Sequence, residues 1–200
     1  MLIRIYDKNP NENCVRSVVE ILNNDGVIVY PTDSVYAFGC SINSPKAIEA
    51  IKKLSGKQSE LTISCPNLSS ISDYAKVDNQ TFKLLKRNLP GPFTFILKAS
   101  SRMPSKFLEK RKTVGVRLQS NTIAQAILEE LGAPMVTVSI HAEESECEYM
   151  TDPELIHERY GKSVEAVING GIGEIVPSTV VDCSDDEPEI VRQGQGELIL

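Results

Sequence analysis

Val27-Ile-Val-Tyr30-Pro31-Thr32-Asp33-Ser34-Val35-Tyr36-Ala37-Phe38-Gly39-Cys40 is the stretch on which the reading of this chain turns. Val27 to Tyr30 is a short apolar strand, and Pro31, which has no amide hydrogen, ends it. Thr32, Asp33 and Ser34 then place two hydroxyls and a carboxylate at the strand's carboxyl end, where open α/β sheets bind their ligands. The same three residue types are also favoured in turns for backbone reasons alone, so both readings stand at this point.

Working outward, helical and strand periods alternate along the chain. Met1-Leu-Ile-Arg-Ile-Tyr-Asp7 reads as a first strand. Asn11 to Asn24 reads as a helix with Val15, Val18, Val19 and Leu22 on one face, and Asp25-Gly26 as a turn. Beyond the opening stretch, Ser44 caps a second helix that starts at Pro45 and turns Ala47, Ile48, Ile51 and Leu54 inward. Further strands are expected at 61–65, 93–97, 113–117, 135–139, 164–168, 179–182 and 189–192, and further helices at 68–74, 79–88, 123–131 and 152–160. The late strands crowd together, which predicts an α/β sheet of mixed direction with antiparallel additions at the C-terminal end. The expected architecture is one domain over residues 1–200, a twisted parallel/antiparallel sheet flanked by helices.

Composition sets the class. The apolar fraction of 41% and charged fraction of 24% are those of an ordinary soluble domain. Apolar runs are too short to cross a bilayer, and the N-terminus lacks the pattern of a secretion signal, so no membrane contact and a cytoplasmic location are expected. The five cysteines, Cys14, Cys40, Cys65, Cys147 and Cys183, are scattered and form no CxxC pair. They read mostly as small buried hydrophobes rather than disulfides or metal ligands. A net charge of −6 argues against a dedicated nucleic-acid binder. It conceals a basic stretch from Lys83 to Arg117, however, which suits an anionic ligand or a polyanion docked on one face.

Four other segments offer chemistry. Lys57, after the helix-ending Ser55-Gly56, can reach a phosphate as a point charge. Thr113-Val-Gly-Val-Arg117 ends a strand in an arginine able to grip a carboxylate or phosphate with two hydrogen bonds, and equally suited to a salt bridge at the rim. Thr137 and Ser139 carry hydroxyls at alternate positions of one strand, hence on one face. Ser178, in Pro177-Ser-Thr-Val-Val-Asp182, is followed by Arg192. With only His141 and His157 as histidines, the set lacks a general base and an activated nucleophile. It suits binding and orienting a phosphorylated, carboxylated ligand better than covalent catalysis.

In this order the segments resemble the YrdC/YciO-like family of threonylcarbamoyl-adenylate synthases. Pro31-Thr-Asp-Ser-Val-Tyr-Ala-Phe-Gly39 is similar to that family's P-T-[DE]-[TS]-x-Y-[GA]-[LF]-G signature. Pro90-Gly-Pro-Phe-Thr-Phe-Ile-Leu97 resembles its P-G-P-x-T-x-[IVL]-L segment, Val114-Gly-Val-Arg117 its V-[AG]-[VM]-R, and Pro177 to Asp182 its P-S-T-V-V-D. Ser55-Gly-Lys57, Cys65 and Ser139-Ile-His141 differ from the synthase pattern and resemble the YciO-type subgroup.

The resemblance implies a YrdC-like (YrdC/RibB-type) fold with a concave basic groove. It also implies condensation of L-threonine, bicarbonate and ATP to threonylcarbamoyl-AMP and pyrophosphate, in support of tRNA t6A37 modification. Carried over by position, Thr32, Arg117, Thr137 and Ser178 would contact threonine. Lys57, Thr113, Ser139 and Arg192 would contact the nucleotide, with Lys57 and Arg117 nearest the reaction. Magnesium would enter with ATP, without protein side chains as ligands. Two other functions compete: a tRNA- or double-stranded-RNA-binding protein using the Lys83–Lys112 stretch, and an enzyme acting on another carbamoylated or adenylated substrate. The sequence sets no oligomeric state.

Overall fold

The computed structural model describes residues 1–56, 61–108, 111–140, 147–185 and 187–200. Ten strands form one sheet: β1 (Leu2–Arg4), β2 (Val27–Tyr30), β3 (Ala37–Ser41), β4 (Thr62–Ser64), β5 (Phe93–Lys98), β6 (Thr113–Arg117), β7 (Met135–Ser139), β8 (Ala166–Asn169), β9 (Thr179–Asp182) and β10 (Glu189–Arg192). Their spatial order is β1-β8-β2-β3-β7-β4-β6-β5-β9-β10. The sheet is mixed as expected, with β8 parallel to both β1 and β2, β4 to β6 and β5 to β9 and the other pairs antiparallel, but of the late strands only β10 is an antiparallel addition.

The helices are α1 (Glu12–Asn23), α2 (Pro45–Ser55), α3 (Leu68–Tyr74), α4 (Asn79–Asn88), α5 (Ser105–Leu108), α6 (Thr122–Leu131), α7 (Glu148–Thr151) and α8 (Pro153–Tyr160). Their ends follow local chemistry. Ser44 Oγ accepts the Ala47 amide at 3.0 Å with Pro45 in the first turn, and Asn11 Oδ1 accepts the amides of Asn13 and Cys14. Gly132 closes α6 in the left-handed region at φ 65°.

Each sheet face carries its own core. On one face the strand positions Val29, Phe38, Val136, Ile63, Val116, Phe95 and Val181 pack beneath α2, α3, α4 and α8. On the other, Val15, Val18, Val19 and Leu22 of α1 and Ile123, Ala124, Ile127 and Leu128 of α6 cover Ile28, Tyr30, Ala37, Met135, Ala166 and Ile168. This second layer rests on β8, β2, β3 and β7 and contributes no apolar cover over β4, β6, β5 and β9. That half-face is left open for a site.

The strand β3 is absent from the sequence expectation. It pairs antiparallel with β2, Tyr30 opposite Ala37 and Val27 opposite Cys40, and all five of its residues are buried. Ala-Phe-Gly-Cys-Ser contains no β-branched residue and, buried on both faces, shows no polar alternation, so neither strand signal is present. The short helices α5 and α7 also escape a periodicity test, each being a single turn. No helix among the described residues is long and apolar enough to cross a membrane.

Candidate functional site

The turn that follows β2 and the end of β6 meet through a buried ion pair. Arg117 Nη2 donates to Asp33 Oδ1 at 3.0 Å and to Ser34 Oγ at 2.9 Å, and the two charged side chains are 2% and 7% exposed. Asp33 Oδ2 in turn accepts the Ser120 amide at 3.0 Å. A guanidinium taken this far out of water requires its counter-charge. Its Nε is buried and unpartnered among the described residues, so one donor remains to be satisfied.

Thr32 organises that turn from within. Its Oγ1 donates to the Val35 carbonyl at 2.7 Å, accepts the Ser34 amide at 3.0 Å and lies 3.2 Å from Ser34 Oγ. The turn-forming reading of Thr-Asp-Ser is thus realised: the threonine shapes the turn, and the next two residues hold Arg117.

A second buried polar cluster lies beside it. Tyr30 Oη donates to Thr137 Oγ1 at 2.9 Å, while Gln119 Nε2 donates to Tyr30 Oη at 3.1 Å and Ser64 Oγ at 2.6 Å. Gln119 Oε1 is buried without a partner among the described residues. Gly39 makes this placement feasible, since a β-carbon there would sit 2.8 Å from Tyr30 Cε1.

The open half-face forms a cleft of about 570 Å³. Its floor is Thr62, Gly115, Thr94 and Ile96, its walls include Ser139 and Ser178, and three arginines, Arg111, Arg117 and Arg192, reach it. No carboxylate or histidine is among its lining residues. Ser178 Oγ and Thr94 Oγ1 lie 3.0 Å apart, and Arg192 donates to the Ser178 carbonyl through Nε and Nη2 at 3.2 and 2.9 Å, which pins the approach to β9. The hydroxyls of Thr113 and Ser139 make no hydrogen bond among the described residues and are available to a ligand.

Of the residues singled out from sequence, Thr113, Arg117, Ser139, Ser178 and Arg192 line this one cleft. Thr32 and Thr137, 6% and 1% exposed, stand behind it with their hydroxyls engaged as above. Lys57 lies outside the described residues, as does His141. Asp33 and Ser34, read from sequence as ligand-binding groups, hold Arg117 instead; Arg111, Thr62, Ser64 and Gln119 carry parts of the arrangement that the sequence reading gave no individual role. A signal existed for two of them: alternation along Leu61-Thr-Ile-Ser-Cys65 sets Thr62 and Ser64 on one face and Ile63 on the other.

The same alternation turns Cys65 away from the cleft, into the helix-covered core. Burial pushes the thiols of Cys40 and Cys65 up to about 12 and that of Cys183 to about 11. All three are therefore neutral near pH 7, and none is a nucleophile in waiting. Only Cys40 and Cys65 are fully buried, fewer than expected, the other three cysteines being partly exposed.

Fold and site together define an α/β protein whose sheet opens a hydroxyl- and arginine-lined cleft. The Sua5/YciO/YrdC family model, described as "telomere recombination", matches residues 20–194, and the chain belongs to that family. It is 45% identical to YciO of Escherichia coli K12 over 197 residues, covering 97% of this chain and 95% of that one. The crystal structure of E. coli YciO superposes with a TM-score of 0.92 over 98% of this chain and 97% of its own. A threonylcarbamoyl-AMP synthase of Vibrio vulnificus is 26% identical over 90% of this chain and 98% of its own length. P. abyssi Sua5, crystallised with L-threonine, shares the fold at a TM-score of 0.85 and 24% identity; the match covers 97% of this chain and 57% of Sua5.

Proposed function

We propose that the chain is an L-threonylcarbamoyladenylate synthase-like enzyme that condenses L-threonine, bicarbonate and ATP in this cleft and supplies tRNA t6A37 modification in the cytoplasm. The observation that carries the reading is co-location. Thr113, Arg117, Ser139, Ser178 and Arg192, spread over 80 positions of sequence, line one cavity whose formal charges are all positive. The kinship with the V. vulnificus synthase and with threonine-bound Sua5 supports the choice of substrates.

In this reading Arg117 receives the threonine carboxylate, with Ser178 beside it, while Thr32 and Thr137 act from behind by fixing Ser34 and Tyr30. Thr113, Ser139 and Arg192, with Lys57, take the nucleotide. Threonine's amine and bicarbonate give N-carboxythreonine with loss of water. One oxygen of the new carboxylate then bonds to the α-phosphorus, the bond from that phosphorus to the bridging oxygen breaks, and pyrophosphate leaves. Because the cleft's donors are hydroxyls and guanidinium groups, and Asp33 is engaged by Arg117 and Ser120, magnesium fits as an ion carried by the nucleotide's own phosphates. The protein's residues contribute orientation and positive charge where the leaving pyrophosphate gathers its own.

The test is pyrophosphate release with ATP, threonine and bicarbonate. Release should depend on all three substrates and fall at least about 100-fold in Arg117→Ala, the loss of a charge-assisted contact to substrate. Turnover no faster than in a protein-free blank refutes the proposal.

A further inference from the structure

The cleft is not the only cavity among the described residues. A second one, of about 810 Å³, opens where the carboxyl ends of β5 and β9 meet α4, and no residue lines both. Four cations surround it: Lys76 from the link between α3 and α4, Lys83 and Arg87 from successive turns of α4, and Lys98 from the end of β5. The Lys76 amide donates to the Lys98 carbonyl at 2.7 Å, which ties the first of these segments to the last.

None of the four side chains makes an ion pair or hydrogen bond among the described residues. Two side-chain carboxylates share the lining, Asp78 and Asp185. Asp78 is committed to α4, accepting the Thr81 amide at 2.7 Å as its N-cap. Lys83 and Arg87 stand four residues apart on one helical face, a like-charge spacing that weakens a helix by a few tenths of a kcal/mol. Against the four cations these two acids leave the lining net positive, in a chain of net charge −6. The first turn of α4, through Gln80 and Thr81, adds the positive end of the helix dipole to the same space. Val77, Leu84, Pro188 and Leu200 give the cavity an apolar wall.

We propose that this cavity is a second binding site, separate from the cleft, for a small ligand carrying several phosphate groups. A compact ligand is favoured over RNA because the Lys83–Lys112 basic stretch does not form one strip. Arg111 faces the cleft, whereas Lys83, Arg87 and Lys98 close around this concavity. The site also shares structure with the cleft, since Lys98 pairs across the sheet with Thr113, so an occupant here touches a strand that floors the other site.

Inorganic tripolyphosphate is the probe, followed by calorimetry and by amide chemical shifts of the full chain at 0.15 M salt. Binding should move the amides of Gln80, Thr81, Lys98 and Ser184 and weaken at least tenfold in Lys83→Ala/Arg87→Ala. That variant removes only exposed side chains and should unfold at the wild-type temperature. Lys83→Arg should bind as wild type does. Shifts confined to Gly115 and Ser178, or equal affinity in the double variant, would overturn the second site while leaving the cleft's reading intact. So would preferential binding of an RNA duplex of about 16 base pairs that is lost in the same variant. Conversely, a failure of pyrophosphate release with the tripolyphosphate response intact would sink the synthase reading alone.

Discussion

Asp33→Asn is the sharpest test of how the cleft is held together. The carboxylate accepts on both oxygens, from Arg117 Nη2 at 3.0 Å and from the Ser120 amide at 3.0 Å. An asparagine has the same shape but one oxygen, so either orientation turns its NH₂ toward a donor. The substitution therefore removes one hydrogen bond outright and leaves the guanidinium, 2% exposed, without a counter-charge. Breaking a buried pair from one side costs about 3–5 kcal/mol, where an exposed pair would cost less than about 1. For a chain of this size each kcal/mol lowers the midpoint by about 2–4 °C, so a fall of about 6–20 °C is expected. Urea unfolding measures the free energy directly, and Asp78→Asn, at an exposed cap where either residue serves, is the control and should change little. Threonine affinity, by calorimetry below the new midpoint, should fall with it as Arg117 loses its anchor. A stability within about 1 kcal/mol of wild type would show that the pair is solvated and that Arg117 is not set by the Thr-Asp-Ser turn.

Three further outcomes follow from particular contacts. A β-carbon at Gly115 would lie 2.7 Å from Thr62 Cγ2 and 3.2 Å from Thr94 Cγ2, so Gly115→Ala should cost about 1–3 kcal/mol by overpacking and narrow the cleft. Adding Thr62→Ser, which removes the nearer methyl, should restore most of the loss in a double-mutant cycle; no coupling would refute the contact. Cys40 and Cys65 ionise near 12 in the fold against about 9 when unfolded, so the unfolded chain releases these protons first. Stability should therefore be fully present below pH 9 and decline as pH rises toward 12, and Cys40→Ala/Cys65→Ala should flatten that decline in urea titrations at pH 7 and 10. Asn88, 7% exposed, donates to the Ile199 carbonyl and accepts the Ile199 amide, both at 2.8 Å. Asn88→Ala should free the 198–200 segment, read as faster proteolysis there and a loss of about 1–3 kcal/mol.

How far the sequence foretold this structure depends on which signal each element carries. Nine strands and six helices could be anticipated because their apolar spacing or their caps are local facts. Ser44-Pro45 and Gly132 do in the structure what those residues do in isolation. β3 had no such signal, and with it went the β2–β3 hairpin that brings Tyr30 beside Thr137. The cleft was legible in part: Arg117, Ser139 and Ser178 are polar residues at strand ends. That Thr32 and Thr137 sit behind it, and that Asp33 rather than a ligand takes one nitrogen of Arg117, depends on contacts such as Asp33–Arg117 and Tyr30–Thr137, 84 and 107 positions apart. No period or spacing encodes such contacts.

The open half-face follows from composition once the pairing is known. Along β4, β6 and β5 one face carries Ile63, Val114, Val116, Phe95 and Leu97, all buried beneath helices. The other carries Thr62, Ser64, Thr113, Gly115, Arg117 and Thr94, with Ile96 as its apolar member. A helix laid over that second face would strip water from several hydroxyls, at about 1–3 kcal/mol for each left unpaired, and would offer the arginine no second acceptor. Over β2, β3 and β7 the corresponding positions are Ile28, Ala37 and Met135, and there α1 and α6 do cover the sheet. The boundary between covered and open sheet therefore falls where the side chains change from apolar to hydroxyl-bearing. Only water or a polar ligand can complete the half that remains, which is the physical reason to seek the chemistry in the cleft rather than at any other edge of the sheet.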